Sequence, residues 1–151
     1  TDRIAAAARL AAANAQALGL AGRAAFLAGC WAASLEGTFD LVLANPPYVP
    51  HAAIPDLMPE VALFEPASAL DGGADGLDAC RRIFSDLPRL LEPAGGIAIL
   101  ELGVDAAPAV TVLARAAGLA VAGLRPDLAR VPRVLALRRL HEKTVWQPRP
   151  R

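Results

Sequence analysis

Phe39-Asp40-Leu41-Val42-Leu43-Ala44-Asn45-Pro46-Pro47-Tyr48-Val49-Pro50 is a short apolar run that stops abruptly at a polar, proline-bearing group. Leu41 to Ala44 is too short for a helix and is closed by two prolines, so it reads as a buried strand of a parallel sheet. The polar group then stands at the strand's carboxyl end. In open α/β sheets, ligands bind in the crevice beyond those ends.

Asn45 precedes a proline and the Pro47 ring fixes its own φ, so the segment leaves the strand extended and cannot turn into a helix. Neither proline carries an N–H, so the carbonyls of Asn45 and Pro46 can face a ligand with no competing donor beside them. An amide side chain with bare carbonyls makes a cradle for a planar NH₂ group. Tyr48 adds a ring face and a hydroxyl at its far end. Without further context, the same four residues also read as a strand followed by a proline-rich turn.

Context comes from the rest of the chain. Asn45-Pro46-Pro47-Tyr48 after an apolar strand resembles the signature of S-adenosylmethionine-dependent methyltransferases that act on a planar nitrogen, either glutamine side chains or exocyclic base amines. Phe64-Glu65-Pro66, Ala69-Leu70 and Gly72-Gly73-Ala74-Asp75-Gly76-Leu77 narrow the likeness to the release factor glutamine methyltransferase family. It runs on through Glu101-Leu102-Gly103, Asp127-Leu128 and Arg133-Val134, and covers about residues 1–140.

The resemblance implies transfer of a methyl group from S-adenosylmethionine to the side-chain amide nitrogen of a glutamine in a peptide chain release factor, with no metal. It implies Asn45, Pro46 and Tyr48 as catalytic residues, Pro47 beside them around the substrate, and Asp2, Trp31 and Asn45 at the cofactor. Glu101 would lie beneath the methyl-transfer crevice. Cys30 stands where the family usually has an acidic residue, and a thiol cannot accept a hydrogen bond from an adenine amino group as a carboxylate does.

Two of these residues have plainer readings. Asp2 is either a helix N-cap or, if Thr1-Asp2 ends a strand, a carboxylate placed against ribose hydroxyls. Trp31 follows the end of an expected short strand, Arg23 to Leu27, and reads as core packing or as a wall for adenine.

The remaining elements follow from periodicity. Residues 4–18 form an Ala-rich helix stopped by Gly19. Residues 49–76 read as a long Pro- and Gly-rich loop lining the substrate entrance, with Glu65 fixing it by hydrogen bonds. Leu77 to Leu91 returns to helical period, and Pro88 should kink or split it. Ile97 to Leu102 is a second buried strand, in which Glu101 is costly unless paired. Ala106 to Ala117 is a helix, Leu119–Leu124 and Val134–Leu137 are strands, and Arg125-Pro126-Asp127 is the turn between them. The domain is expected over 1–140, with 141–151 a polar, disordered tail.

Bulk properties bound the rest. The 151 residues suffice for one domain, whose core must come from Ala, Leu and Val because aromatics are scarce. Two cysteines, far apart and without metal spacing, fit a reducing cytoplasm. No apolar run reaches the roughly 20 residues of a bilayer span. Residues 40–105 carry eleven acids against three arginines, whereas 106–151 carry nine bases against two acids. That basic end reads as solvated surface or as modest affinity for nucleic acid or the ribosome, and direct nucleic-acid binding is not expected.

A Rossmann-like methyltransferase normally opens with a strand and a Gly-rich turn that lets backbone approach the cofactor. No such turn follows a strand here. The expected fold class is therefore α/β, an incomplete Rossmann-like S-adenosylmethionine-dependent methyltransferase fold lacking the first strand and Gly-rich loop. Leu41–Ala44 would then be an apolar edge, prone to pair with another chain or completed by a further segment. Rival functions are glutamine methylation of a ribosomal protein, methylation of an adenine amine on a flipped base, and an inactive remnant without cofactor.

Overall fold

The computed structural model describes residues 1–140; the expected tail at 141–151 lies outside the described residues. The elements in order are α1 (Ala5–Ala17), β1 (Leu41–Ala44), α2 (Pro59–Ala62), α3 (Ala67–Leu70), α4 (Asp78–Leu90), β2 (Ile97–Glu101), α5 (Ala107–Ala116), β3 (Leu119–Pro126) and β4 (Pro132–Arg139). The strands make one sheet in the order β1-β2-β4-β3. β1 and β2 are parallel, with Leu41 opposite Ile97 and Ala44 opposite Leu100, and β4 runs antiparallel to both β2 and β3.

Helices cover one face. Phe84, Leu87 and Leu91 from the α4 segment, Val110 and Ala114 from α5, and Leu100, Leu119, Leu135 and Leu137 from the sheet form a single buried cluster. Each such leucine contributes about 1.5–3 kcal/mol through removal from water. Val42 and Ala44 pack against that cluster, so Leu41 and Leu43 point to the opposite face, where Leu43 is 69% exposed. Among the described residues β1 has one strand partner, β2, and its outer edge is open. This is the incomplete α/β sheet that the sequence implies.

Local chemistry explains the helix ends. Gly19, at φ 71°, closes α1 in a Schellman motif: its N–H donates to the Gln16 carbonyl and the Leu20 N–H to the Ala15 carbonyl. Pro88 does not split α4, which runs unbroken to Leu90. It sits in the last turn, where its missing N–H removes one bond near the end and the Leu91 N–H still reaches the Leu87 carbonyl.

Three further expectations are corrected. Arg23 to Leu27 is not a strand; residues 21–23 form a 3₁₀ turn, and only a single parallel bridge joins Asp2 to Ala28. The stretch from 49 to 76 is not plain loop but a chain of short turns, namely a 3₁₀ helix at His51–Asp56, α2 and α3. The β3–β4 turn lies at 127–131, since Arg125 and Pro126 continue β3. There the Asp127 carboxylate accepts from the Ala129 and Val131 N–H groups, and Pro126 faces Pro132, so neither residue lacks a ladder donor it could have used.

Candidate active site

β1 ends at the cradle. Asn45 is exposed, Pro46 buried, and Pro47 and Tyr48 half-buried. Among the described residues, the Asn45 side-chain amide takes part in no hydrogen bond and the Pro46 carbonyl accepts none. Two acceptors therefore stand uncommitted on consecutive residues at one strand end, one of the residues buried.

Tyr48 is fixed from several sides. Its hydroxyl donates to Glu101 Oε1 at 3.0 Å. Glu101, half-buried at the end of β2, thereby acquires the partner its position demands. Burial, then the hydrogen bond to Glu101 and that carboxylate's charge, push the phenol pKa up, while the Arg133 guanidinium opposes them. A Cβ added at Gly103 would come within 3.2 Å of Tyr48 Cδ2. Arg133 is itself held, donating to the Leu102 carbonyl at 3.0 Å and to Asp127 Oδ2 at 3.3 Å. The Asp127, Arg133 and Glu101-Leu102-Gly103 groups thus meet at one strand end.

The chain after Tyr48 is laced to the glycine-rich turn. Val49 donates to the Leu70 carbonyl and accepts from Gly72, and the His51 N–H reaches the Gly73 carbonyl. The side chain that organises this turn is Asp71, not Glu65. Asp71 Oδ2 lies 2.8 Å from His51 Nδ1, and Oδ1 accepts from the Gly73 N–H at 2.8 Å. The His51 contact first, then the Gly73 N–H, hold its carboxyl below the usual range. The Glu65 side chain is exposed and makes no hydrogen bond among the described residues. Its sequence signal misled because a carboxylate two residues before Gly73, in Asx-turn spacing, competes better for the turn's N–H groups.

Two hollows flank the cradle. A cleft of about 1070 Å³ brings together Asp2, Cys30, Trp31 and Pro47, and a cavity of about 370 Å³ brings together Trp31, Asn45, Pro46 and Asp86. Tyr48 lines neither. Trp31, the wall common to both, has φ 54°, a left-handed backbone that costs a bulky residue about 1–2 kcal/mol. Its turn is held by Arg89, which donates to the Ala32 and Leu35 carbonyls at 2.8 Å and is oriented by Asp86. Neither Arg89 nor Asp86 was singled out from sequence.

Asp2 is not the N-cap of α1, a place held by Ile4 with no side-chain cap, because it lies three residues before the first helical residue. Its backbone bridges Ala28 as a strand residue would, while its Oδ1 accepts from the Ile4 N–H at the entry to α1. Asp2 lines the larger cleft, and its Oδ2 accepts no hydrogen bond among the described residues. A ribose hydroxyl could take that oxygen, and the Trp31 indole could face an adenine, so the cleft fits a nucleoside-bearing cofactor. Cys30 adds only a weak acceptor. Among the described residues, no group of acidic, histidine and cysteine side chains is arranged to hold a metal ion, and no helix is long and apolar enough to cross a membrane.

No family model matches the chain. Individual proteins do. The chain is 49% identical over 131 residues to the release factor glutamine methyltransferase of Rhodospirillum rubrum, covering 87% of this chain and 40% of that protein. It is 45% identical over 130 residues to the one from Bradyrhizobium diazoefficiens (84% and 43%), and 44% identical over 138 residues to the one from Cereibacter sphaeroides (91% and 49%). The chain therefore spans less than half the length of these curated relatives. A solved mitomycin 7-O-methyltransferase superposes over 87% of this chain and 39% of its own, at TM-score 0.47 and 17% identity.

Proposed function

The chain belongs, over the part of their length that it spans, to the release factor glutamine methyltransferases, and from that premise we propose that it forms the substrate-holding side of an enzyme that methylates the side-chain amide nitrogen of a glutamine in a peptide chain release factor. One observation carries the reading: the Asn45 side-chain oxygen and the Pro46 carbonyl are uncommitted acceptors on consecutive residues, with no proline N–H to compete.

An amide nitrogen is a weak nucleophile because its lone pair is delocalised into the carbonyl. Asn45 and Pro46 each accept one of its N–H bonds, which favours a pyramidal nitrogen with the lone pair aimed across the cradle. Orientation of this kind contributes on the order of 7–11 kcal/mol to a barrier. As positive charge grows on the nitrogen, the same two oxygens and the Tyr48 ring stabilise it, and one proton then leaves for water. Bound S-adenosylmethionine supplies an electrophilic methyl group on a sulfonium. Asp2 and Trp31 hold its ribose and adenine, with recognition of the base resting on the indole face because Cys30 cannot replace a carboxylate. A reducing cytoplasm suits the two unbridged cysteines.

The test uses the full-length protein containing this chain, labelled methyl donor, and three acceptors: a release-factor glutamine peptide, a ribosomal-protein glutamine peptide and an adenine oligonucleotide. Label should enter the first. Asn45→Ala should lower kcat about 10²–10³-fold while donor binding holds. Undiminished turnover in that variant, or label in adenine instead, sinks the reading.

A further inference from the structure

Glu101 has a more specific task than neutralising its own burial. A carboxylate can only accept, so the 3.0 Å contact commits the Tyr48 hydroxyl to donating toward β2. Glycine at 103 and 76 leaves room for this placement, since a side chain at either position would crowd the ring's edge or the Tyr48 backbone carbonyl. Arg133, tied to Asp127 and to the Leu102 carbonyl, fixes the strand end from which Glu101 projects. Among the described residues, neither Glu101 nor the Tyr48 hydroxyl makes another side-chain hydrogen bond.

We propose that Glu101 is a positioning residue that acts through Tyr48: by accepting the phenol's O–H it holds the ring in one orientation beside the Asn45-Pro46-Pro47 cradle. This deepens the glutamine reading and rests on it.

Two measurements on the full-length protein decide it. Tyr48 is the sole tyrosine of this chain, and a difference spectrum against Tyr48→Phe isolates its ionisation from any other. Glu101→Gln keeps an oxygen for the hydroxyl but removes the charge, so the phenol's titration midpoint should fall. An unmoved midpoint overturns the coupling whether or not the protein has activity. The second is a double-mutant cycle on glutamine-peptide methylation. Glu101→Ala should cut kcat about 10–100-fold in the wild-type background and less than about 2-fold when Tyr48 is already Phe, because residues acting as one unit do not add. Full additivity overturns the proposal. If the wild-type protein methylates no glutamine, the functional reading fails and takes the role in catalysis with it. A shifted midpoint would then still establish the contact.

Discussion

Gly76 lies directly beneath the backbone carbonyl of Tyr48: a Cβ at that position would come within 2.5 Å of the oxygen, and its φ of 76° is one that side chains rarely adopt. Gly76→Ala should therefore cost about 1–2 kcal/mol from the left-handed backbone alone and more from the clash. Gly95, with open space around it and no positive φ, is the control and should change stability by less than about 0.5 kcal/mol. Thermal melts of the two variants measure the difference, and equal melting temperatures would contradict the geometry.

Arg89 joins α4 to the Trp31 turn through two backbone carbonyls and partners the buried Asp86, one of whose carboxylate oxygens has no hydrogen bond of its own. Arg89→Ala should destabilise by about 1.5–3 kcal/mol, the range for hydrogen bonds to charged groups, and not more, because Arg89 is partly exposed and Arg82 lies 3.4 Å from Asp86. Indole fluorescence, recorded with Trp146 replaced by Phe, should shift in the same variant. A silent Trp31 would mean the turn is held by something else.

Acid should weaken the glycine-rich turn in a defined window. The Arg81 guanidinium holds the Asp75 carboxyl at about 2, from an ordinary 3.8, and Asp71 and Asp127 are also lowered. A lowered folded pKa means that the unfolded chain takes up the proton first. The contribution of Asp75 is therefore fully present above about pH 4 and is lost as pH falls toward 2. Asp75→Asn should show a flatter fall of melting temperature across that interval, with no difference from wild type in its pH slope near neutrality.

The two thiols should behave oppositely toward an alkylating reagent at mildly alkaline pH. Burial raises the Cys80 thiol to about 11 and shields it, whereas Cys30 is exposed at the larger cleft. Native protein should label at Cys30 alone, as peptide mass mapping would reveal, and S-adenosylmethionine should slow that labelling if the cleft is its site. Equal rates with and without the cofactor would place it elsewhere.

Much of this architecture was legible in the residues. β1, β2, α1 and α5 follow from apolar runs and helical periodicity bounded by proline or glycine, signals that depend only on near neighbours in sequence. Arg23 to Leu27 was not legible, because an apolar stretch becomes a strand only if a ladder is available and here a single bridge forms. The chain of turns after Tyr48 depends on the backbone of Gly72 and Gly73, some twenty residues away, which no local pattern encodes. Within the candidate site, Glu101 announced itself as a carboxylate in an apolar strand that needs a partner. That the partner is Tyr48 required the register of β1 on β2. Asp71 and Arg89 were missed for the same reason, since their partners are brought to them by tertiary structure alone.

Trp31 lines both hollows while its backbone sits in a left-handed conformation held by Arg89 from α4. Whatever loosens that one turn therefore changes the walls of both spaces at once.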